Sequence, residues 1–428
     1  MTTPVESECE KLLGGTDQLV VDSTHRSAVE QVLDELGIQT KLVDDAPAFD
    51  LALLTLWHKP DDAHSEPELV AELDPVLNEV RARLAGRCGG WVPLIGKNRP
   101  MTSQFGAYPQ TKSHTLWDPI PAGKPDDWLA EPKGAGVRVG LLDTAIYKHD
   151  DLPDTAIRTL GFDKAEAPAD AYFELGHGLF MAGLILKQAP AATVVARAAL
   201  NDRGKASAWC VVKQLEEFYD DPPQDRVHVL VMACGTRTND GRPPLIVERA
   251  VERLQRHMVI VAAAGNHGAV DGMSRDVQIT RNSPTWPAAL PGVIAAGLPT
   301  PFSDVGEDAE RKKDYSPALP WVTCTINPGA DGEFVSSYFT ETRTTVELLS
   351  GNAFAGRASG FASWRGTSCA AAQLGGLIAA KMAEAGLGAR EAFNALSLGD
   401  EAVAKPYKWT YPRQVTVQSR PATVEPNV

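Results

Sequence analysis

The chain has 428 residues, with 41 Lys and Arg against 55 Asp and Glu, and a formal net charge of −14. An acidic surplus of that size argues against a nucleic-acid backbone or an anionic membrane as the main partner, because both attract clustered positive charge. With 43% hydrophobic and 22% charged residues the chain can bury a large core and reads as globular, and its length suits two or three domains.

The first residues, Met1 to Gly15, are acidic where a secretory signal carries a basic stretch and an apolar run, so no export signal is expected. Apolar runs such as Met258 to Ala264 and Gly375 to Ala380 fall far short of the roughly 20 residues that cross a bilayer. Six cysteines (Cys9, Cys88, Cys210, Cys234, Cys324 and Cys369) form no Cys-x-x-Cys pair, which disfavours zinc and a disulfide framework. A soluble, cytoplasmic protein with reduced thiols is the expectation.

In chain order, apolar patterning predicts a strand at 18–22, a helix at 26–36, strands at 40–43 and 51–56, a helix at 67–84 and a strand at 91–95. The order β-α-β-β-α-β is that of a small ferredoxin-like α+β domain, assigned to residues 1–97. Ser23 and Thr24 stand ready as caps for the first helix, and Gly37 follows its end. Residues 98–130, rich in proline and without an apolar period, read as a linker. From 131 to 400, strands and helices alternate (137–142, 180–186, 193–198, 206–219, 227–232, 245–255, 258–263), which predicts a doubly wound parallel sheet with helices on both faces. Catalytic groups then gather at the carboxyl ends of its strands. Residues 401–428 read as a polar tail.

Four segments of the second domain bear chemistry. Gly136 to Leu152 delivers Asp143 to the end of an apolar strand; Gly176 to Ile185 opens an apolar helix with Gly-His-Gly; Met258 to Gly268 ends a strand in Ala-Ala-Gly-Asn; Arg365 to Ala380 sets Ser368 at the mouth of a small-residue helix. A serine hydroxyl becomes a useful nucleophile when an imidazole takes its proton, and a carboxylate orients that imidazole. A helix N-terminus supplies N–H groups and positive potential where an oxyanion develops. Taken singly, each residue is more simply a cap, a turn residue or a satisfied core histidine. Their joint spacing favours an active site.

These segments, in the order Asp, His, Asn, Ser, resemble the subtilisin-like serine peptidases (subtilases) over roughly residues 136–385. Gln188 to Trp209 resembles the family's substrate-edge loop, Trp286 to Gly297 its proline-bounded strand, and Ile326-Asn327-Pro328-Gly329 its Ala-Pro-Gly turn. The resemblance implies that Asp143 orients the imidazole, His177 acts as base and then acid, Ser368 is the nucleophile and Asn266 donates to the oxyanion. It implies a peptide strand laid between Gly204, Lys205 and Ala206 on one side and Ala233, Cys234 and Gly235 on the other. The first side-chain pocket then lies between Ala233–Gly235, Ala263, Ala264, Gly265 and Thr285.

This sequence departs from the family pattern at Ala145, Leu179, Phe180, Cys369 and Ala372, none of which removes a catalytic atom. The short connection after the His helix leaves out a loop that binds calcium in many secreted relatives, so neither metal nor cofactor is expected. Thr285 stands where many relatives have glycine, which implies a shortened pocket preferring small or medium apolar side chains. Cys369 reads as a buried filler, and His149 and His267 as solvent-facing or local hydrogen-bond partners. The expected function is a serine endopeptidase for selected intracellular proteins or precursor peptides; the alternative is a catalytically silent subtilase fold that binds peptides as a scaffold. The N-terminal domain has the element order of a subtilase pro-region, and intramolecular inhibition stands beside a recognition or stabilising role for it.

Overall fold

The structure, a computed structural model, describes residues 18–60, 66–103, 119–166, 173–238, 241–267, 283–299, 316–317, 321–328, 334–339, 359–399 and 403–404. The segments Met1 to Gly15 and Ala269 to Arg281, the tail beyond 404 and most of 301–363 lie outside the described residues. The described chain falls into two compact units, 18–98 and 99–404.

The first unit runs β1 (Gln18–Asp22), α1 (Arg26–Glu35), β2 (Ile38–Ala46), β3 (Leu51–His58), β4 (Glu68–Leu69), α2 (Leu73–Arg87) and β5 (Ile95–Lys97). Its sheet has the order β2-β3-β1-β5, every pair antiparallel, with β4 added beside β3. That order is the split βαβ arrangement the sequence predicts. Val29, Val32 and Leu33 of α1 and Leu73, Leu77, Val80 and Leu84 of α2 close the core over the buried residues of β1 and β3. Element ends shift, with β2 at Ile38–Ala46 rather than 40–43 and α2 ending at Arg87 rather than 84, and three further details differ from the sequence reading. Asp22, rather than Ser23 or Thr24, accepts a capping hydrogen bond, from the Thr24 N–H of a short turn ahead of α1. The second helix starts at Leu73 rather than 67, because Glu68–Leu69 is spent on β4. The last strand starts at Ile95 rather than 91, and Trp91 and Leu94 are exposed.

The second unit continues with β6 (Pro100–Thr102), β7 (Ile120–Ala122), β8 (Arg138–Asp143), β9 (Ile157–Leu160), α3 (His177–Gln188), β10 (Thr193–Ala198), β11 (Lys205–Ser207), α4 (Ala208–Asp220), β12 (Val229–Met232), α5 (Leu245–Leu254), β13 (Val259–Ala263), β14 (Ile294–Gly297), β15 (Cys324–Ile326), β16 (Phe334–Phe339), β17 (Ser359–Trp364), α6 (Thr367–Ala385), α7 (Ala389–Gly399) and β18 (Val403–Ala404). The stretch read as a linker thus contributes β6 and β7. Both are three residues long and carry proline, too short to show a period in sequence.

The main sheet has the order β18-β15-β14-β13-β12-β8-β10-β9, parallel throughout except β18. Its central strands are continuous apolar runs (Val-Leu-Val-Met in β12, Val-Ile-Val-Ala-Ala in β13), as burial on both faces requires. The order reverses between β8 and β12, and at such a switch point the strand ends leave a crevice. Met232 pairs with Leu142 there, so Ala233 and Asp143 emerge side by side.

Helices α3 and α6 fill one face. A Cβ on Gly376 would come within 2.5 Å of the Ile185 carbonyl oxygen, so the two backbones touch. Gly376 lies eight positions after Ser368 and Ile185 eight after His177, so the helices run side by side and in step. Their N-termini, with His177 and Ser368, therefore come to the same end of the sheet.

Candidate active site

Asp143 is the last residue of β8 and is buried. Its carboxylate takes the Thr144 N–H at 2.7 Å and faces His177 Nδ1, at 2.7 Å through Oδ1 and 2.9 Å through Oδ2. A carboxylate only accepts, so Nδ1 carries the hydrogen and Nε2 keeps its lone pair. The first turn of α3 is pinned from outside: Thr144 Oγ1 takes the Gly178 N–H at 2.9 Å and donates to the Leu175 carbonyl. A Cβ at Gly178 would run into the Thr144 carbonyl, which explains the glycine after His177. Trp364 stands edge-on to the His177 ring, with centroids 5.3 Å apart, and walls off its far side.

Ser368 is the second residue of α6 and is buried with its neighbours. Gly366 precedes the helix at φ 145°, a conformation costly for any other residue. The Ser368 hydroxyl donates to the Ala233 carbonyl at 3.0 Å and lies 3.5 Å from the Ser103 carbonyl. No hydrogen bond between Ser368 and His177 occurs among the described residues. Asn266 follows β13, and its Oδ1 takes both the N–H and the hydroxyl of Thr367, at 3.0 and 3.2 Å. With its oxygen tied back, its amide NH2 is the half that turns away, available to an oxyanion. Thr367 Oγ1 also takes the Gly265 N–H at 2.9 Å, which fixes the loop to the helix.

Burial pushes the thiols of Cys234 and Cys369 far above the usual range, and the charge of Asp143 adds to it. Both stay protonated, so neither is a nucleophile, and the filler reading of Cys369 fits its burial. Of the two readings for His149 and His267, hydrogen bonding holds and solvent exposure does not. His149 is buried against the Tyr338 and Gly360 carbonyls, and His267 is fully buried with Nε2 on the Ser283 carbonyl at 2.8 Å. Loop position suggested exposure; the stacking of Trp321 on His267 supplies the cover.

The substrate edges expected from sequence are occupied by the chain itself. β6 pairs antiparallel with β11, Lys205 opposite Thr102 and Ala206 opposite Met101. On its other side Thr102 exchanges both backbone hydrogen bonds with Gly235, at 3.0 and 3.1 Å, and the Ser103 N–H donates to Gly204 O at 2.9 Å. Residues 100–103 thus form the middle strand between the two predicted edges. Sequence reading took this segment for a linker that lies near the cleft if the N-terminal domain is inhibitory; it missed the strand pairing, along with Thr144, Thr367 and Trp364. The hydroxyls just after Asp143 and just before Ser368 were visible in the sequence; their partners come from distant parts of the chain.

An acid-oriented imidazole, a serine at a parallel helix mouth and a tethered asparagine at the switch point agree with the wider comparison. A sequence profile described as the Subtilase family matches residues 134–404. The chain belongs to the subtilase family. Serine protease AprX of Bacillus subtilis is 28% identical over 155 residues, 32% of this chain and 34% of its own length. The thermostable alkaline protease of Halalkalibacterium halodurans is 28% identical over 193 residues, 41% of this chain and 47% of its own. The chain therefore spans less than half the length of these curated relatives. The crystal structure of fervidolysin from Fervidobacterium pennivorans, a keratinolytic enzyme related to subtilisin, superposes with a TM-score of 0.56 at 14% identity, covering 89% of this chain and 57% of that one. At that identity it is the subtilase fold that is shared.

Proposed function

We propose that this subtilase is a serine endopeptidase. Ser368 attacks the peptide carbonyl, His177 Nε2 takes its proton and returns it to the leaving amine, and Asp143 holds the imidazole and stabilises its charged form. The tetrahedral oxyanion is received by the Asn266 amide and the Ser368 N–H at the start of α6. The observation that carries this reading is the strand at 100–103, an extended peptide held on both edges with its Ser103 carbonyl 3.5 Å from the Ser368 hydroxyl. That is the main-chain recognition a peptide substrate needs.

The same strand supports intramolecular inhibition, since a peptide substrate must displace it. We place the enzyme in a reducing, cytoplasmic setting, which the free thiols of Cys88, Cys234, Cys324 and Cys369 support. Among the described residues no helix is long and apolar enough to cross a membrane. Its substrates are then selected intracellular proteins or precursor peptides. A silent peptide-binding scaffold is favoured by one feature, the donation of the Ser368 hydroxyl to Ala233 rather than to His177. Hydrolysis of a fluorogenic peptide Pro-Met-Thr-Ser-Gln-aminocoumarin by the wild type, abolished in Ser368→Ala, supports the enzyme. Binding of that peptide with no turnover in either would establish the scaffold.

A further inference from the structure

Two buried polar atoms meet at the base of the side-chain pocket that the family resemblance implies. Thr285 precedes Trp286, whose backbone exchanges two hydrogen bonds of 2.8 Å with Thr236, directly after the substrate-pairing Gly235. Across from it lies Gly265, in the loop that carries Asn266. The position a Cβ would take on Gly265 is 2.8 Å from Thr285 Oγ1 and 2.9 Å from His267 Nδ1. Both residues are fully buried, and among the described residues neither of these atoms has a hydrogen-bond partner. Buried polar atoms left unpaired are costly, and in a substrate pocket such atoms await a partner from the substrate.

Their chemistry restricts that partner. His267 Nε2 faces a carbonyl oxygen, so it carries the hydrogen and Nδ1 is an acceptor. Burial, with the Arg237 guanidinium nearby, lowers the ring's pKa to about 4, so it stays neutral. Thr285 Oγ1 both donates and accepts. An apolar side chain would satisfy neither atom, a carboxylate has no N–H for Nδ1, and a cation would meet the charge of Arg237. A carboxamide offers an N–H donor and a C=O acceptor on one planar end.

We propose that Thr285 and His267 make this pocket selective for a carboxamide side chain, glutamine first, on the residue that donates the scissile carbonyl. The proposal rests on the peptidase reading above and replaces the apolar preference expected from sequence.

The test uses the full chain, its active fraction counted by a fluorophosphonate probe, and peptides Pro-Met-Thr-Ser-X-aminocoumarin with X as Gln, Asn, Leu, Phe or Glu. The expected result is a kcat/KM for Gln at least about tenfold above Leu, Phe and Glu, with the Gln-to-Leu ratio falling about tenfold in the isosteric Thr285→Val. Probe-labelled protein that prefers Leu, Phe or Glu, that turns over none of the peptides, or whose ratio is unmoved in Thr285→Val overturns the selectivity and leaves the nucleophile standing. Protein that takes no probe overturns the peptidase reading, and the selectivity with it.

Discussion

At Asp143 the carboxylate is buried and has two donors in reach, the Thr144 N–H and the His177 imidazole, so the ring is held in one tautomer with its working nitrogen outward. Substituting a residue in such a unit removes most of the rate, because the parts act together. Ser368→Ala and His177→Ala are each expected to lower kcat by about 10⁶, the scale known for subtilisin itself. Asn266→Ala is expected to lower kcat by about 10²–10³ with little change in KM, since the donor acts on the oxyanion rather than the ground state; a raised KM at constant kcat would contradict that role. His267 allows a prediction on stability. Its folded pKa of about 4 lies below the 6.5 of an unperturbed histidine, so between those values the unfolded chain binds more protons. Its neutral burial thus costs nothing above pH 6.5, and stability is lost as pH falls toward 4, by about 3 kcal/mol at the lower end. Urea unfolding from pH 7 to 4.5 should show a steeper loss in the wild type than in His267→Gln; parallel curves would contradict it. The four chemistry-bearing residues were legible because each sits at a strand end or helix start with a local signature. His267 was not, because Trp321 and the 283 carbonyl come from far along the chain.

Among the elements, the step between α3 and α6 decides whether nucleophile and base meet. Gly376 lies against the Ile185 carbonyl and Gly375 against the Val231 side chain, so α6 rests on both its neighbouring helix and the sheet. Gly376→Ala gains roughly 1 kcal/mol of helix propensity, yet backbone cannot yield as a side-chain tip can. The net expectation is a loss of about 1–2 kcal/mol in urea unfolding together with a fall in kcat, as the two helix mouths are pushed apart. A stabilised variant with full activity would show that the close approach is dispensable. Small residues in Ala370 to Ala380 made the close-packed helix readable, and continuous apolar runs did the same for β12 and β13. The starts of α2 and β5 were misplaced because Leu69, Trp91 and Leu94 are apolar yet exposed, so the apolar pattern ran past the real ends.

At the scale of the whole molecule, the parallel main sheet and the βαβ order of the first unit followed from apolar patterning and alternation in the sequence, whereas the strand order that sets the switch point did not. Nor did the role of residues 100–103. A three-residue strand has no period of its own, and what makes it a strand is the pair of edges waiting on either side. If it competes with substrate, loosening it raises activity. Thr102→Pro removes the N–H that donates to Gly235 O, and one such bond corresponds to a gain of about three- to tenfold in kcat/KM for an added peptide. Unchanged or lowered kcat/KM would contradict inhibition by the segment.

Peptidase chemistry at this site requires Ser368 to be an activated nucleophile. Incubation of the full chain with a fluorophosphonate, followed by peptide mass spectrometry, measures this directly. The expected result is a single adduct on Ser368, absent in Ser368→Ala and strongly reduced in His177→Ala. A folded wild type, including the Thr102→Pro form with its cleft strand loosened, that gains no adduct, or gains it equally in His177→Ala, would contradict it.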